Sequence, residues 1–208
     1  LDLWEGKCFV SLIGFIFLNT KIFGIKVPYH ATVEEVNLRF YVKRFENNTW
    51  KRGAVFIKEI VSKPMLTFVA NTIYKEHYET MPMKYNWEEN SKNRSVAYHW
   101  KKNNIWQSFK ITAALKTSEI EKNSATEFIT EHYWGYAKVN DTITNEYEVT
   151  HPRWQKYEVE SADIKVDFEL VYGKHFEFLN HIKPTSIMLI EGSKITIEGK
   201  KTIKKKAF

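Results

Sequence analysis

Two stretches decide the fold: EEVNLRFYVKR at residues 34–44 and RGAVFIKEIVSK at residues 52–63. In the first, Val36, Leu38, Phe40 and Val42 alternate with Glu35, Asn37, Arg39, Tyr41 and Lys43. That is the period of two of a half-buried strand. Asn47-Asn48 supplies a hairpin turn into the second stretch. There, Ala54 to Val61 is apolar on both faces apart from Lys58 and Glu59, which marks a central strand. Charge inside such a strand is costly unless it is paired or used. Strict alternation places Glu59 with Val55, Ile57 and Val61, and Lys58 with Ala54, Phe56 and Ile60. Arg39 and Arg52 are the cations within reach of a buried Glu59. The pair is either a cavity-lining acid or base, or a structural ion pair that fixes register.

The rest of the chain has the same texture. Aromatics make up 15% of its 208 residues, alongside many Val, Ile and Thr, a composition that favours strands. Lys7–Asn19 reads as a long apolar strand, with Gly14 marking a bulge or a close backbone approach. Lys21–His30 reads as a loop or bent edge strand. Pro64–Tyr78 carries Met65, Phe68, Val69, Thr72, Ile73 and Glu76 at helical spacing behind an N-terminal proline. Ser124–Tyr133 is a short helix with Ser124 and Glu127 as a capping box. Further strands are expected at 84–89, 94–101, 106–114, 134–139, 145–149, 155–159, 164–170, 186–190 and 194–198. Many strands with few helices predict a mainly β (α+β) single domain over residues 1–208, an antiparallel barrel or sandwich with helices outside.

The charge and cysteine content narrow the function classes. The net charge is +6, and Lys200, Lys201, Lys204, Lys205 and Lys206 supply most of it. The basicity therefore belongs to a tail at 200–208, read as solvated and partly frayed, and a nucleic-acid partner is not expected. Cys8 is the single cysteine, so no internal disulfide forms, and its strand-like flanks predict a buried, inert thiol. No signal peptide or membrane span is visible, which predicts a cytoplasmic protein without a membrane partner. The seven histidines do not fall at ligand spacing, so no metal and no cofactor is expected.

Other candidate residues lie outside the two strands. Lys63 follows Glu59 by four residues, about 13 Å along an extended strand, close enough for long side chains to line one cavity. Free lysine is a poor nucleophile near neutrality and needs desolvation or a neighbouring cation. Glu131-His132-Tyr133-Trp134-Gly135-Tyr136 offers His132 and Tyr136 as donors to a ligand and Trp134 as a wall. Arg153, in a turn after His151-Pro152, is an anion contact. Glu191 ends an apolar strand, Ile187–Ile190, in the place of a carboxylate at a barrel mouth.

Taken together, WEGKCFVSLIGFIFLNTKIFG, EEVNLRFYVKR, RGAVFIKEIVSK, EFITEHYWGYAK, HPRW and PTSIMLIEGS resemble the YqjF-like uncharacterised proteins of the acetoacetate decarboxylase-like superfamily. The resemblance covers nearly the whole chain. It implies a cone-like antiparallel β-barrel flanked by helices, with a ligand cavity inside. The chain begins without Met, inside the family pattern, so a further N-terminal element is expected. In acetoacetate decarboxylases a basic-glutamate strand leads to a lysine pair, one lysine of which forms a Schiff base. Lys58-Glu59 matches that strand and Lys63 is the counterpart of the reactive lysine. The spacing is shorter, and Pro64 stands where the activating second lysine would be.

Three functions follow as alternatives. The first is binding of a small apolar carboxylate or keto acid in a cavity lined by Arg39, Lys58, Glu59, His132, Trp134, Tyr136 and Glu191. The second is a decarboxylase-like lyase with Lys63 as nucleophile and Glu59 as acid or base. The third is a structural or interaction module that forms a homo-oligomer through exposed strands.

Overall fold

The computed structural model describes residues 1–18, 21–22, 25–26 and 32–204. Its strands are β1 (Val10–Leu18), the short β2 (Lys21–Ile22) and β3 (Ile25–Lys26), β4 (Thr32–Glu46) and β5 (Thr49–Val61). Helix α1 (Pro64–Val69) runs into a π-turn at Ala70–Tyr74. Then come β6 (Tyr78–Thr80), β7 (Met83–Glu89), β8 (Asn93–Lys102), β9 (Ile105–Glu119) and α2 (Ala125–Thr130). The chain continues through β10 (Trp134–Lys138), β11 (Ile143–Thr150), β12 (Gln155–Lys165), α3 (Phe168–Tyr172) and a 3-10 helix at Lys174–His181. It ends with β13 (Leu189–Ile190), β14 (Thr196–Ile197) and β15 (Lys201–Lys204).

The β4–β5 hairpin is the spine. Asn47 and Asn48 both take positive φ, 51° and 59°, as a two-residue hairpin turn requires. Pairing runs from Glu46↔Thr49 to Glu35↔Val61 with one irregularity, because Leu38 faces Lys58 while Arg39 faces Phe56. Ile57 is the extra residue of a β-bulge. The bulge resets the alternation, so Phe56, not Val55 or Ile57, shares the side of Glu59 and Val61. On the outer edge of β5, β10 pairs through Gly53 and Ala54 and β6 through Glu59–Val61, both parallel. β1 pairs with β4 and completes one side of this sheet, which extends through β11 to β14 and β15.

The second sheet has the order β13-β12-β9-β8-β7. It packs on the face of the first that carries Val36, Leu38 and Ile60, with Tyr98, Trp100, Phe109 and Val171 filling the space between. Gly14 allows the contact: a Cβ there would stand 2.5 Å from Phe109 Cζ and 2.7 Å from Tyr98 Cδ2. The close approach expected at Gly14 is thus found. The mainly β class is also as expected, but the cone-like closure is not. The two sheets share no ladder among the described residues, and β1 and β7 remain edges. Large aromatic side chains fill the space between the two stacked sheets, and among the described residues no ladder closes them into a barrel.

Local expectations also shift. The first helical segment stops at Tyr74, because Lys75 enters the left-handed region at φ 63° and Tyr78 joins a strand. The second helix is shorter than Ser124–Tyr133, but Ser124 does cap it, its side chain accepting from Glu127 N at 3.2 Å. The strand expected at 164–170 gives way to α3, which Asp167 caps by accepting from Leu170 N at 3.0 Å. Cys8 is exposed, contrary to expectation: the turn at Trp4–Lys7 delays β1 until Val10. The basic tail is ordered further than expected, since Lys201–Lys204 pairs with β11 and the Lys200 ammonium reaches the Ile73 carbonyl. Lys205 and Lys206 lie outside the described residues, as does most of the expected loop at 21–30. No helix among the described residues is long and apolar enough to cross a membrane.

Candidate functional site

The side of β4 that reads as solvated is buried. Glu35 is 1% exposed, Asn37 0% and Tyr41 0%. Glu59, the register partner of Asn37, is 3% exposed. These residues form a polar layer on the face of the first sheet opposite the apolar core. The π-turn and its flanks cover part of it. Asn71 and Tyr78 exchange two hydrogen bonds, Nδ2 donating to the Tyr78 carbonyl at 2.9 Å and the Tyr78 amide to Oδ1 at 2.8 Å. Asn145 Nδ2 donates to the Tyr74 carbonyl at 2.8 Å. The wide turn and the left-handed Lys75 deliver Glu76 into the layer, where Tyr147 donates to Glu76 Oε1 at 2.8 Å.

Three carboxyl groups therefore meet under one cover. Tyr78 donates to Glu35 Oε2 and Asn37 Nδ2 to Glu35 Oε1, both at 3.0 Å. Burial raises the Glu35 carboxyl to about 7, against the hydrogen bonds of Asn37 and Tyr78 and the charge of Arg39. Burial likewise raises Glu76 to about 7, partly offset by the Tyr147 hydroxyl. Glu59 is raised well above the usual carboxylate range, first by burial and then by the charges of Glu35 and Glu76. Like charges in a dry site favour the protonated acid. Near neutrality the layer can donate protons as well as accept them.

Its hydrogen bonding is incomplete. Glu59 Oε2, Asn37 Oδ1 and Arg39 Nε are buried without any partner among the described residues. Arg39 follows Asn37 by two positions on the same strand and side, about 7 Å along. Its guanidinium forms no ion pair among the described residues and lies 5.5 Å from the Tyr41 ring centroid. An unsatisfied buried donor or acceptor costs about 1–3 kcal/mol, so three together on one strand pair call for a cause.

Of the residues expected from sequence, Glu59 and Arg39 belong to this layer and the others are elsewhere. Lys58 does point to the opposite face, where its ammonium is bound by the Val171 carbonyl at 2.5 Å and Glu79 Oε2 at 2.8 Å. It is a structural tie and lines no site with Glu59. The expected partner Arg52 is bound to Asp2 at 2.7 Å instead. Lys63 is half-buried beyond the end of β5, and its carbonyl accepts from Leu66 and Thr67 at the start of α1. No bond joins its ammonium to the layer among the described residues.

His132 sits further along the sheet, its Nε2 3.2 Å from Asp2 Oδ2 and its ring 4.5 Å from Tyr41. Burial lowers its pKa to about 4, so it is neutral. Trp134 and Tyr136 fall on the other face of β10: Trp134 lies beneath the Lys51 ammonium at 4.0 Å, and Tyr136 lines a shallow groove of about 260 Å³. Glu191 Oε1 accepts from Gln155 N at 3.0 Å in the second sheet, so it stands at no barrel mouth. Arg153 ties Glu127 Oε1 at 2.6 Å to the Ile120 carbonyl at 2.8 Å. Glu35, Asn37, Glu76, Tyr78 and Tyr147 are the layer's members that sequence reasoning missed. Among the described residues no group of three His, Cys, Asp or Glu has the geometry to hold a metal ion.

A solved structure of an acetoacetate decarboxylase-like enzyme from Sphingomonas wittichii RW1 superposes with a TM-score of 0.45 at 8% identity. The match covers 67% of this chain and 58% of that one, so the chain spans less than two thirds of that enzyme's length. No curated protein matches the sequence. The family DUF2071, described as an uncharacterized conserved protein, matches residues 1–194. The chain therefore belongs to the DUF2071 family of uncharacterized conserved proteins.

Proposed function

We propose that the chain binds a small organic acid with an apolar body at the Asn37–Arg39–Glu59 layer. The observation that carries this is the set of buried polar atoms without partners among the described residues, Arg39 Nε, Asn37 Oδ1 and Glu59 Oε2. A guanidinium without a carboxylate partner is the group that recognises a carboxylate by a charge-assisted hydrogen bond. In the same layer, Glu59 held as the neutral acid donates a hydrogen bond to a carboxylate or keto oxygen, and Asn37 Oδ1 accepts one from a hydroxyl. The register places Ile13, Phe15 and Phe56 on the same side of the sheet as Asn37, Glu35 and Arg39, suited to an apolar ligand body. The unpartnered atoms are sealed from solvent, so binding requires the cover to open. The π-turn at 70–74 forms part of that cover, a geometry that recurs at functional sites. A Schiff-base route through Lys63 has no comparable observation behind it.

The test is calorimetric titration with a panel of short-chain, aromatic and β-keto acids. At least one acid is expected to bind, and Arg39→Met is expected to weaken it by about thirtyfold, the loss of a hydrogen bond to a charged group. Glu59→Gln, which keeps the shape, is expected to lose less. If no acid in the panel binds, or if Arg39→Met leaves the affinity unchanged, this assignment is wrong.

A further inference from the structure

We propose that the chain forms a two-fold homodimer by antiparallel pairing of β7 with β7 of a second copy, centred on Asn86, giving one continuous ten-stranded sheet. Among the described residues β7 pairs only with β8, and it ends the second sheet. The direction of its backbone groups follows from the ends of the hairpin. Asn90 N bonds the Asn93 carbonyl, and Lys101 N bonds the Pro82 carbonyl, both at 3.0 Å. Hydrogen-bonded pairs alternate along an antiparallel ladder. Lys84, Asn86 and Glu88 therefore turn their N–H and C=O groups to β8, while Met83, Tyr85, Trp87 and Glu89 turn theirs outward. Two of the outward-facing residues carry large exposed rings, Tyr85 at 44% and Trp87 at 57%.

The sequence around Asn86 is self-complementary. With Asn86 opposite its own copy, Tyr85 of each chain faces Trp87 of the other as a hydrogen-bonded pair. Lys84 faces Glu88 on the opposite face of the sheet, twice by symmetry. Centring on Tyr85 puts Lys84 opposite Asn86, and centring on Trp87 puts Asn86 opposite Glu88. Only the Asn86 register matches charge with charge and ring with ring, the pairings that stabilise neighbouring strands. On the Lys84 face, Trp106, 44% exposed, holds the Lys84 ammonium 5.1 Å from its ring centroid. An exposed aromatic edge with free backbone groups is a template for another strand, and an isologous contact closes at two copies.

Sedimentation velocity of the intact chain at micromolar concentration is the test. The wild-type chain is expected to run as a dimer. Lys84→Glu and Glu88→Lys each turn two attractive pairs repulsive and are expected to weaken dimerisation by about tenfold or more. The double variant, with the charges exchanged, is expected to restore it. Both positions are exposed, and a thermal melt of each variant checks that the fold survives. A monomeric wild-type chain overturns the proposal, and so does a dimer that neither single reversal affects.

Discussion

Raising the pH from 6 to 8 is expected to destabilise the protein, and Glu59→Gln is expected to remove much of that loss. Glu35 and Glu76 each titrate near 7 in the folded chain against an ordinary value of 4.5, and Glu59 lies higher than its ordinary value. Between pH 4.5 and 7 the folded state holds protons that the unfolded state has released. Stability therefore falls as pH rises, fully supported below 4.5 and withdrawn as pH passes the folded values. One such shift is worth about 3 kcal/mol. The three groups are coupled, so the whole cluster yields less than three independent shifts.

His132 works the other way. Its folded pKa of about 4 lies below the ordinary 6.5, so its contribution grows as pH rises from 4 to 6.5 and offsets part of the carboxyl loss there. Above 6.5 it is constant, and the fall is undiluted. Glu59→Gln removes one proton site that the folded layer keeps filled and the unfolded chain releases. At pH 8 this variant should melt about 5–10 °C above the wild-type chain, and at pH 5 the two should nearly coincide. Parallel pH profiles for the two proteins would show that the three carboxyls do not share their protons.

The physical reason for the layer also explains why the sequence hid it. Alternation at 35–43 reports which residues are polar, and a polar face is ordinarily a wet one. Here the same alternation carries Glu35, Asn37 and Arg39 beneath the 70–78 segment, a contact made only after the chain returns. Glu76 reaches Tyr147 across 71 positions of sequence, and no local pattern links them. The Ile57 bulge has no signature of its own, so the neighbours of Glu59 are only half right from spacing. What depends on neighbours in sequence is legible: the Asn47-Asn48 turn, the Ser124 cap, the opposition of Lys58 and Glu59, and the requirement for glycine at position 14. What depends on which charges finally meet is not. Glu59 finds two carboxyls and a distant guanidinium, where a buried acid ordinarily finds a cation.

Gly135→Ala should be among the most damaging single-methyl changes in the chain. Gly135 faces Tyr147 across the β10–β11 ladder, and a Cβ built there would clash with the tyrosine ring at Cζ and Cε2 and stand 2.5 Å from the hydroxyl oxygen. The ring cannot simply swing aside. Its hydroxyl is bound to Glu76 at 2.8 Å, and its edge meets Tyr74 at 5.8 Å. Overpacking of this kind costs about 1–3 kcal/mol or more. The stiffer unfolded chain of an alanine returns less than about 1 kcal/mol. A net loss of about 2–3 kcal/mol, or roughly 4–12 °C in Tm, is expected from thermal melts. In a Tyr147→Leu background the methyl group has room, and the same substitution should cost under about 1 kcal/mol, a non-additivity that a double-mutant cycle reads directly. The chemistry of the layer should move as well. The Tyr147 hydrogen bond holds the Glu76 pKa down, so displacing the ring should raise it further and steepen the loss of stability above pH 6.5. Additive costs in the cycle, with an unchanged pH profile, would mean that β10 yields to the methyl and that Tyr147 does not anchor Glu76.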